Sequence, residues 1–466
     1  MIILRIVKKF RQILSRHQKI RVVELGVLMV ISGFMEMLSV TLILPFMDAV
    51  MEPERIMLKS YIRWVVNLLG IEKPRSFLIL LALVLAAMYI IKNIFLLFQM
   101  LFQNRFVYHQ LFLTQKQLLR SYLSRPYEYY LSVKSGEVLR VIGTDTTDAF
   151  AILTQILMMF SELVVSAVLM VTIFVMAPLL TVSAGAVLLV MILLIQRFSR
   201  PLLRKAGVVA RKRRADMNQW MLQSIQGIKE VKLMRKESYF ERNFDRAGNE
   251  YVRALYQNIT LGSVPRFMIE ASTMSVLFIA IALMIGNGAA LKELLPVLSG
   301  IAMAAVRLLP AASRISACLA SITYGEPAVD KLLENLKTVR EYDSVHGKEQ
   351  TENTSTDRRI SSLAKEIRME NVTYRYPSGS VDILENAGFT IRSGQSVGIV
   401  GASGAGKTTA VDVLLGLLRP QGGSVLVDGT DIRLDMTGWL SNIGYIPQAI
   451  FMLDGNIREN VAFGLA

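Results

Sequence analysis

Long apolar runs alternate with polar, helix-patterned segments over the first two thirds of the chain. Six runs approach or exceed the roughly 20 mostly apolar residues that a membrane-spanning helix needs. They cover residues 22–50, 76–102, 149–177, 178–196, 262–286 and 291–324. Only the dipeptide Ala177-Pro178 separates the third run from the fourth, which predicts a tight hairpin. The pattern therefore predicts an α-helical transmembrane bundle of six spans.

Several stretches outside these runs repeat apolar residues at helical spacing without being apolar enough to cross a membrane. Residues 106–147 and 197–261 are predicted to continue neighbouring spans into the cytoplasm as long helical extensions. Residues 1–21 predict a basic amphipathic helix on the membrane surface, with an ordinary soluble helix as the alternative. Residues 51–70 predict another amphipathic helix, on the external surface.

The pattern changes again after residue 337. Residues 338–364 are dominated by Asp, Glu, Ser, Thr and Lys and predict a solvated linker. Residues 365–466 contain short apolar runs separated by Gly and Pro turns, which indicates strands of an α/β domain. These runs lie at 367–376, 387–391, 396–400 and 424–427. The chain thus divides into the surface helix (1–21), a transmembrane domain (22–337), the linker and this last domain.

Composition agrees with a membrane protein, since 53% of the residues are hydrophobic and only 19% are charged, against about 25% charged in soluble proteins. The net charge of +15 would also suit a nucleic-acid binder. The basic residues, however, flank the apolar runs, as in the cytoplasmic loops of membrane proteins. We therefore expect no nucleic-acid partner, and we place both termini and the two long loops in the cytoplasm.

A phosphate-binding motif lies within the last domain. The segment Gly401-Ala-Ser-Gly-Ala-Gly-Lys-Thr408 matches a P-loop, with an apolar strand predicted before it and a helix after it. Lys407 is expected to reach the β- and γ-phosphates of ATP, and Thr408 to ligate Mg²⁺. The predicted cofactors are therefore ATP and Mg²⁺. The residues predicted to bind ATP here are Gly401, Ser403, Gly404, Ala405, Gly406, Lys407, Thr408 and Thr409.

Two motifs beside the P-loop resemble those of ABC transporters. Tyr374-Arg-Tyr376-Pro377 places Tyr376 25 positions before Gly401. Ile443-Gly-Tyr-Ile-Pro-Gln448, followed by residues 451–460, is similar to the family's Q-loop region. The resemblance implies that Tyr376 stacks on adenine, and that Gln448 acts in catalysis by sensing the γ-phosphate and Mg²⁺. Taken alone, an aromatic residue at an edge strand is more often packing.

The membrane half is similar to the exporter type of this family. Tyr127-Glu-Tyr-Tyr130 with Ser135-Gly-Glu137, and Ile225 to Lys232 with Glu237 to Phe240, resemble its two coupling-helix regions. A solvated charged loop is the alternative for both. The resemblance covers the whole chain and implies a half-transporter: six spans followed by a partial α/β P-loop nucleotide-binding domain. It also implies a second ABC subunit, as a homodimer, in the cytoplasmic (inner) membrane of a bacterium.

Some motifs of the family do not follow Gln448 in this sequence. They are the signature, the strand that ends in Asp-Glu, and the switch histidine. In the family the signature of one subunit completes the ATP site of the other. We therefore expect residues 1–466 alone to hydrolyse ATP poorly, and a non-hydrolysing nucleotide-binding membrane protein is the alternative class.

Ionisable residues inside spans are functional candidates because placing them there is costly. Lys92, Arg266 and Arg307 lie on three different predicted spans and predict a basic site for an anionic head group. For Arg266, pairing with Glu270 on its own helix is the alternative. For Arg307, the alternative is pairing with a carboxylate of another span, such as Glu36 or Glu162. The predicted basic site and the external amphipathic helix together resemble the lipid-linked oligosaccharide flippase branch of ABC exporters. The expected cargo is a lipid-linked oligosaccharide or glycolipid, with a multidrug, peptide or general lipid exporter as the alternative.

Overall fold

The computed structural model describes most of the chain. The described residues are 2–41, 46, 50, 73–133, 135–176, 178–286, 291–352, 360, 362–377, 379–447 and 450–464. They form two compact units: the first comprises Met1–Arg120 and Leu139–Thr338, the second Ser121–Val138 and Val339–Ala466. The amphipathic helix predicted at 51–70 lies outside the described residues.

Helices make up the described residues between positions 2 and 352. They are α1 (Ile2–Ile13), α2 (Arg16–Thr41), α3 (Pro74–Leu123), α4 (Tyr127–Ser132), α5 (Ser135–Arg140), a π-helical turn (Val141–Asp145), α6 (Thr146–Met176), α7 (Pro178–Gln226), α8 (Ile228–Leu233), α9 (Glu237–Gly286) and α10 (Leu291–Glu352). The segments predicted to resemble coupling helices thus form the short helices α4 and α8.

Four of these helices are far longer than a bilayer requires. Helices α3, α7 and α9 contain 50, 49 and 50 residues, and α10 contains 62. At about 1.5 Å per residue, 50 residues extend about 75 Å, against a hydrocarbon core of about 30 Å. The prediction that spans continue as helices beyond the membrane is confirmed.

Three helices in the described part of the chain are apolar and long enough to span a membrane, at Arg16–Ser39, Arg75–Leu123 and Gly136–Val168. The remaining predicted spans fall within α7, α9 and α10, where many side chains lie outside the described set. The number six therefore stays a prediction. Pro178 begins α7 directly after α6 ends at Met176, which suits proline at a first helical position.

Small residues hold the long helices of the first unit close together. Helix α7 packs on α9, and α2 packs on α6. Ala206, Ala210 and Ala254 form a buried seam between α7 and α9. A Cβ on Gly207 would lie 2.0 Å from the carbonyl oxygen of Tyr324 in α10. Such residues let helix backbones approach closely, as in other membrane bundles.

The second unit is built on an antiparallel sheet of four strands in the order β2–β1–β3–β4. The strands are β1 (Glu366–Tyr374), β2 (Leu384–Arg392), β3 (Gly422–Val427) and β4 (Thr430–Asp431). The helices are α11 (Lys407–Leu414), α12 (Met436–Leu440) and α13 (Ile457–Val461), with a 3₁₀ turn at Ile432–Leu434. Met369, Val372, Val413, Val427 and Trp439 belong to its buried core.

One local prediction is wrong. Residues 396–400, predicted as a strand, adopt no regular secondary structure, and Val400 is 92% exposed. A strand requires a neighbour for its backbone groups, and the described part of the chain provides none there. The polar segment predicted as a linker begins as helix, since α10 continues to Glu352. Its Glu and Lys residues favour helix.

Candidate nucleotide-binding site

The phosphate-binding motif forms a loop that leads directly into α11. Gly404 and Gly406 adopt φ values of 84° and 80°, a left-handed conformation that side chains other than glycine rarely adopt. Gly406 also has no room for a side chain, because a Cβ would lie 3.1 Å from the carbonyl oxygen of Ile383. Such turns direct successive backbone N–H groups towards one concavity, where an anion is favoured.

Lys407 points back into this loop. Its ammonium group donates hydrogen bonds to the carbonyl oxygens of Gly401, at 2.9 Å, and of Ala402, at 2.7 Å. The positive charge therefore lies inside the ring formed by residues 401–407. Phosphate oxygens are stronger acceptors than these neutral carbonyls, because hydrogen bonds between charged partners are roughly twice as strong.

The N-terminus of α11 makes a second favourable electrostatic contribution to phosphate binding. The backbone N–H of Ala410 donates to the carbonyl of Gly406 at 2.8 Å and closes the first helical turn. The N–H groups of Lys407, Thr408 and Thr409 precede this bond and have no intrahelical acceptor. A helix N-terminus carries a partial positive charge that attracts phosphate. The exposed hydroxyl of Thr408 is thereby presented where the predicted Mg²⁺ would accompany the phosphates.

Core packing fixes the direction of α11. Thr409, Ala410 and Val413 are buried, and the indole N–H of Trp439 donates to the carbonyl of Leu414 at 3.0 Å. The helix therefore cannot turn without disturbing the core of the unit. The positive φ values of Gly404 and Gly406 and the charge of Lys407 suit the phosphates of a nucleoside triphosphate. The roles of Ser403 and Ala405 in binding it stay predictions.

Tyr376 lies next to α11. Its hydroxyl is 3.1 Å from the hydroxyl of Thr409, and its ring meets the buried ring of Tyr374 edge to face at 5.1 Å between centroids. The ring is only half-buried. The structure thus brings Tyr376 to the P-loop helix and also gives it a packing contact. Its stacking on adenine stays a prediction.

We expect Tyr376→Ala to weaken ATP binding by about 1–3 kcal/mol, the usual contribution of an aromatic–base stack. Tyr376→Phe should retain most of the affinity, because it loses the Thr409 contact but keeps the ring. The measurement is the ATP dissociation constant of the full-length protein by calorimetry. Equal ATP affinity in the wild type and in Tyr376→Ala would show that the Tyr376 ring only packs against its neighbours.

Within the second unit, the first coupling-like helix, α4, contacts the segment after α11 through Glu128, a residue that sequence analysis named only as part of a motif. Its carboxylate accepts a hydrogen bond from the backbone N–H of Arg419 at 3.0 Å. Burial raises the pKa of the Tyr374 hydroxyl, and the negative charge of Glu128 raises it further. Arg419 carries no sequence signal of its own, because its contact uses only the backbone.

Arg125 packs against three aromatic rings near this contact. Its guanidinium lies 4.7 Å from the ring centre of Tyr122, 4.2 Å from that of Tyr129 and 5.3 Å from that of Tyr342. Cation–π contacts at such distances are attractive. They tie the turn before α4 to the last part of α10 within the second unit.

The three predicted cargo cations are not brought together among the described side chains. Lys92 is buried in α3 and pairs with Glu36 of α2 at 2.8 Å. Arg266 is exposed on α9. The side chain of Arg307 lies outside the described residues, as does all of Gln448. Sequence reasoning missed the Lys92 partner because it considered only neighbours on the same helix.

The sequence of this chain is similar to two family profiles and to several known proteins. A family profile described as the ABC transporter transmembrane region matches residues 22–306, and one described as ABC transporter matches residues 384–463. The ABC transporter ATP-binding protein YfiC of Bacillus subtilis (strain 168) is 26% identical over 403 residues, which cover 84% of this chain and 64% of that protein.

Two secretion proteins are also similar. The leukotoxin translocation ATP-binding protein LktB of Mannheimia haemolytica is 26% identical over 74% of this chain and 47% of its own length. The probable microcin-H47 secretion/processing ATP-binding protein MchF of Escherichia coli is 42% identical over 96 residues, 20% of this chain and 14% of its own. The chain thus spans less than two thirds of the length of these relatives.

Proposed function

The chain belongs to the ABC transporter family, and we propose that it is the half-transporter subunit of an ATP-driven exporter. One observation carries this proposal: a loop built for phosphate, with the Lys407 ammonium inside it, belongs to the same chain as a multi-pass membrane unit. Helices about twice as long as a bilayer is thick extend from that membrane unit. They are suited to carry a movement at the nucleotide site into the membrane.

ATP, bound with Mg²⁺, supplies the free energy for transport. The loop N–H groups and Lys407 offset the phosphate charge, and Thr408 offers a hydroxyl to the metal ion. Tyr376 provides an apolar face for the adenine ring. Gln448 is proposed to sense the γ-phosphate and to act in catalysis, on the strength of its resemblance to the Q-loop glutamine.

A second ABC subunit, most simply another copy of this chain, is the proposed partner. The proposed location is the cytoplasmic membrane of a bacterium, with the N-terminus and the nucleotide-binding unit in the cytoplasm. The basic residues around the apolar runs support this orientation. The bacterial relatives in the comparisons support the location.

Glu128 is proposed to help couple ATP hydrolysis to cargo transport, because it joins α4 to the backbone at Arg419. We expect Glu128→Gln to lower the amount of cargo moved per ATP hydrolysed by about fivefold, since a charge-assisted hydrogen bond contributes about 1.5–3 kcal/mol when it is intact. ATP affinity should be unchanged. Glu385→Gln, an equal charge change at an exposed position of the same unit, is the control. If Glu128→Gln moves as much cargo per ATP hydrolysed as the wild type, Glu128 takes no part in the coupling.

The favoured cargo is a lipid-linked oligosaccharide or a glycolipid. The resemblance to the flippase branch supports this cargo, and so does Arg266, a membrane-helix cation that is exposed on α9. A secreted peptide or protein toxin is the second candidate, because two relatives are named for leukotoxin translocation and microcin secretion.

We expect Arg307→Ala to reduce cargo transport at least tenfold and to leave basal ATP hydrolysis nearly unchanged, because a head-group contact is lost while the phosphate loop keeps all of its residues. Lys92→Met is the contrasting variant. It removes the cation that pairs with the partly buried Glu36 carboxylate, so it should lower thermal stability, and Lys92→Met with Glu36→Met should restore it. Transport and ATP hydrolysis are measured in liposomes, and stability is measured by thermal unfolding. If Arg307→Ala loses stability together with transport, Arg307 is structural.

The proposal as a whole is tested with the full-length protein in liposomes, by measuring ATP hydrolysis and transport with each cargo class added in turn. Stimulation by a lipid-linked sugar supports the favoured cargo. Stimulation by a peptide selects the second candidate. Tight ATP binding without turnover in any mixture would assign the chain to the non-hydrolysing class.

A further inference from the structure

An open apolar groove lies on the first unit between α1, α2 and α6. It encloses about 680 Å³, within the range of about 300–1,000 Å³ that is usual for small-molecule sites. Its walls include Phe10 of α1, Gly26 and Val27 of α2, and Leu157 and Phe160 of α6. A Cβ on Gly26 would meet no atom within 4 Å, so the space beside this part of α2 is open.

The groove is open along its length to the medium around the helices. Val23 is 66% exposed, Val27 is 55% exposed and Phe160 is 46% exposed. Both α2 and α6 contain segments that are apolar enough to cross a membrane. These exposed apolar side chains are therefore suited to contact lipid.

Ion pairs on the opposite side of α1 hold it in the orientation that forms the groove. Lys9 pairs with Asp330 of α10, and Arg5 lies 3.9 Å from Glu326, a carboxylate that is 1% exposed. Lys9 also lies 3.9 Å from Glu326. With its basic face held against α10, α1 directs Phe10 and Leu14 into the groove.

Two cations border this apolar groove. Arg11 and Lys19 are the charged residues among those that line it, and both side chains are exposed. Within the described part of the chain neither forms an ion pair. Anionic lipids attract such basic residues at the cytoplasmic surface of a membrane.

We propose that this groove binds one anionic phospholipid of the cytoplasmic leaflet. An acyl chain lies along Gly26 and Val27, and the phosphate group lies between Arg11 and Lys19. The apolar walls match the chain, and the two cations match the head group.

The test uses the purified full-length protein, exposed to an equal mixture of phosphatidylglycerol and phosphatidylcholine and examined by native mass spectrometry. We expect the wild type to retain one phosphatidylglycerol per chain, with a preference over phosphatidylcholine of roughly tenfold. Arg11→Gln with Lys19→Gln should lower this preference to about one. Arg16→Gln with Arg21→Gln makes the same charge change at exposed positions outside the groove and should keep the preference.

Gly26→Leu tests the acyl-chain part separately, because it fills the groove and favours the helix. It should lose both lipids, and Val30→Phe, at another lining position, should do the same. Ile20→Phe adds bulk at an exposed position outside the groove and should retain the lipid. A gel-filtration volume equal to that of the wild type, together with unchanged ATP affinity, reports that each variant is folded.

Several results would overturn the proposal. Retention of phosphatidylglycerol in both groove-filling variants would exclude the acyl-chain site. Equal losses in the Arg11 and Arg16 variant pairs would show a general attraction of surface charge. An adduct of protein mass in place of a lipid would assign the groove to a partner chain.

Discussion

Replacing Lys407 with alanine is expected to lower the ATP affinity of the full-length protein at least about 100-fold. The Lys407 ammonium lies inside the phosphate loop, where it donates to the carbonyls of Gly401 and Ala402. Two hydrogen bonds between this cation and phosphate oxygens contribute about 1.5–3 kcal/mol each. The measurement is ATP binding by calorimetry, with hydrolysis followed in liposomes.

Lys365→Ala is the matched control for this prediction, because Lys365 is an exposed lysine of the same unit and its backbone N–H bond to Asp428 is unaffected. It should bind ATP like the wild type. Lys407→Arg should not restore binding, since the planar guanidinium is larger than the ammonium that the loop encloses. Normal ATP affinity in a folded Lys407→Ala protein would disprove the nucleotide site.

Gly423→Ala is expected to destabilise the nucleotide-binding unit by about 3 kcal/mol or more, because two independent costs coincide at this position. Gly423 has a φ of 76°, which costs a residue with a Cβ about 1–2 kcal/mol. A Cβ there would also lie 2.2 Å from the carbonyl oxygen of Glu370 and 2.4 Å from that of Asn371. These carbonyls belong to the irregular pairing of β1 with β3, so the two strands would have to separate.

Variants at two nearby glycines separate the conformational cost of the positive φ from the steric cost of the Cβ. Gly429 has a φ of 88° but open space around its Cβ position, so Gly429→Ala should show only the conformational cost. Gly422 meets Thr373 at an ordinary 3.6 Å, so Gly422→Ala should be nearly neutral. Thermal unfolding is followed by the fluorescence of Trp439, which is buried in this unit, after Trp64 and Trp220 are replaced by phenylalanine. Gly423→Ala should lower the midpoint by about 10 °C or more. Equal midpoints in all three variants would contradict the steric argument.

Much of the helical architecture could be predicted from local pattern alone. The helical extension over 197–261 was expected from its periodicity, and it is found in α7 and α9. The short helices α4 and α8 lie where motifs resembled coupling helices. Helix formation depends mainly on contacts within a few residues of the chain, so local spacing contains the required information.

Strands and ion pairs were harder to predict because they depend on distant neighbours. Residues 396–400 have the composition of a strand but no described partner to pair with. Lys92 and Glu36 are 56 positions apart, and Arg314 pairs with Glu162 through two hydrogen bonds of 2.6 and 3.0 Å. Nothing in the residue types indicates which carboxylate each cation will meet.

For this protein, the sequence by itself determined the membrane class, the presence of long helical extensions and the chemistry of the phosphate loop. These properties follow from apolar run length, helical period and the glycine and lysine spacing of a single contiguous segment. Only the tertiary structure decided that Glu128 meets the Arg419 backbone, that Tyr376 contacts Thr409, and that α1, α2 and α6 enclose a groove. Each of those features joins segments far apart in the chain, and their side chains meet only after packing has placed the helices and strands.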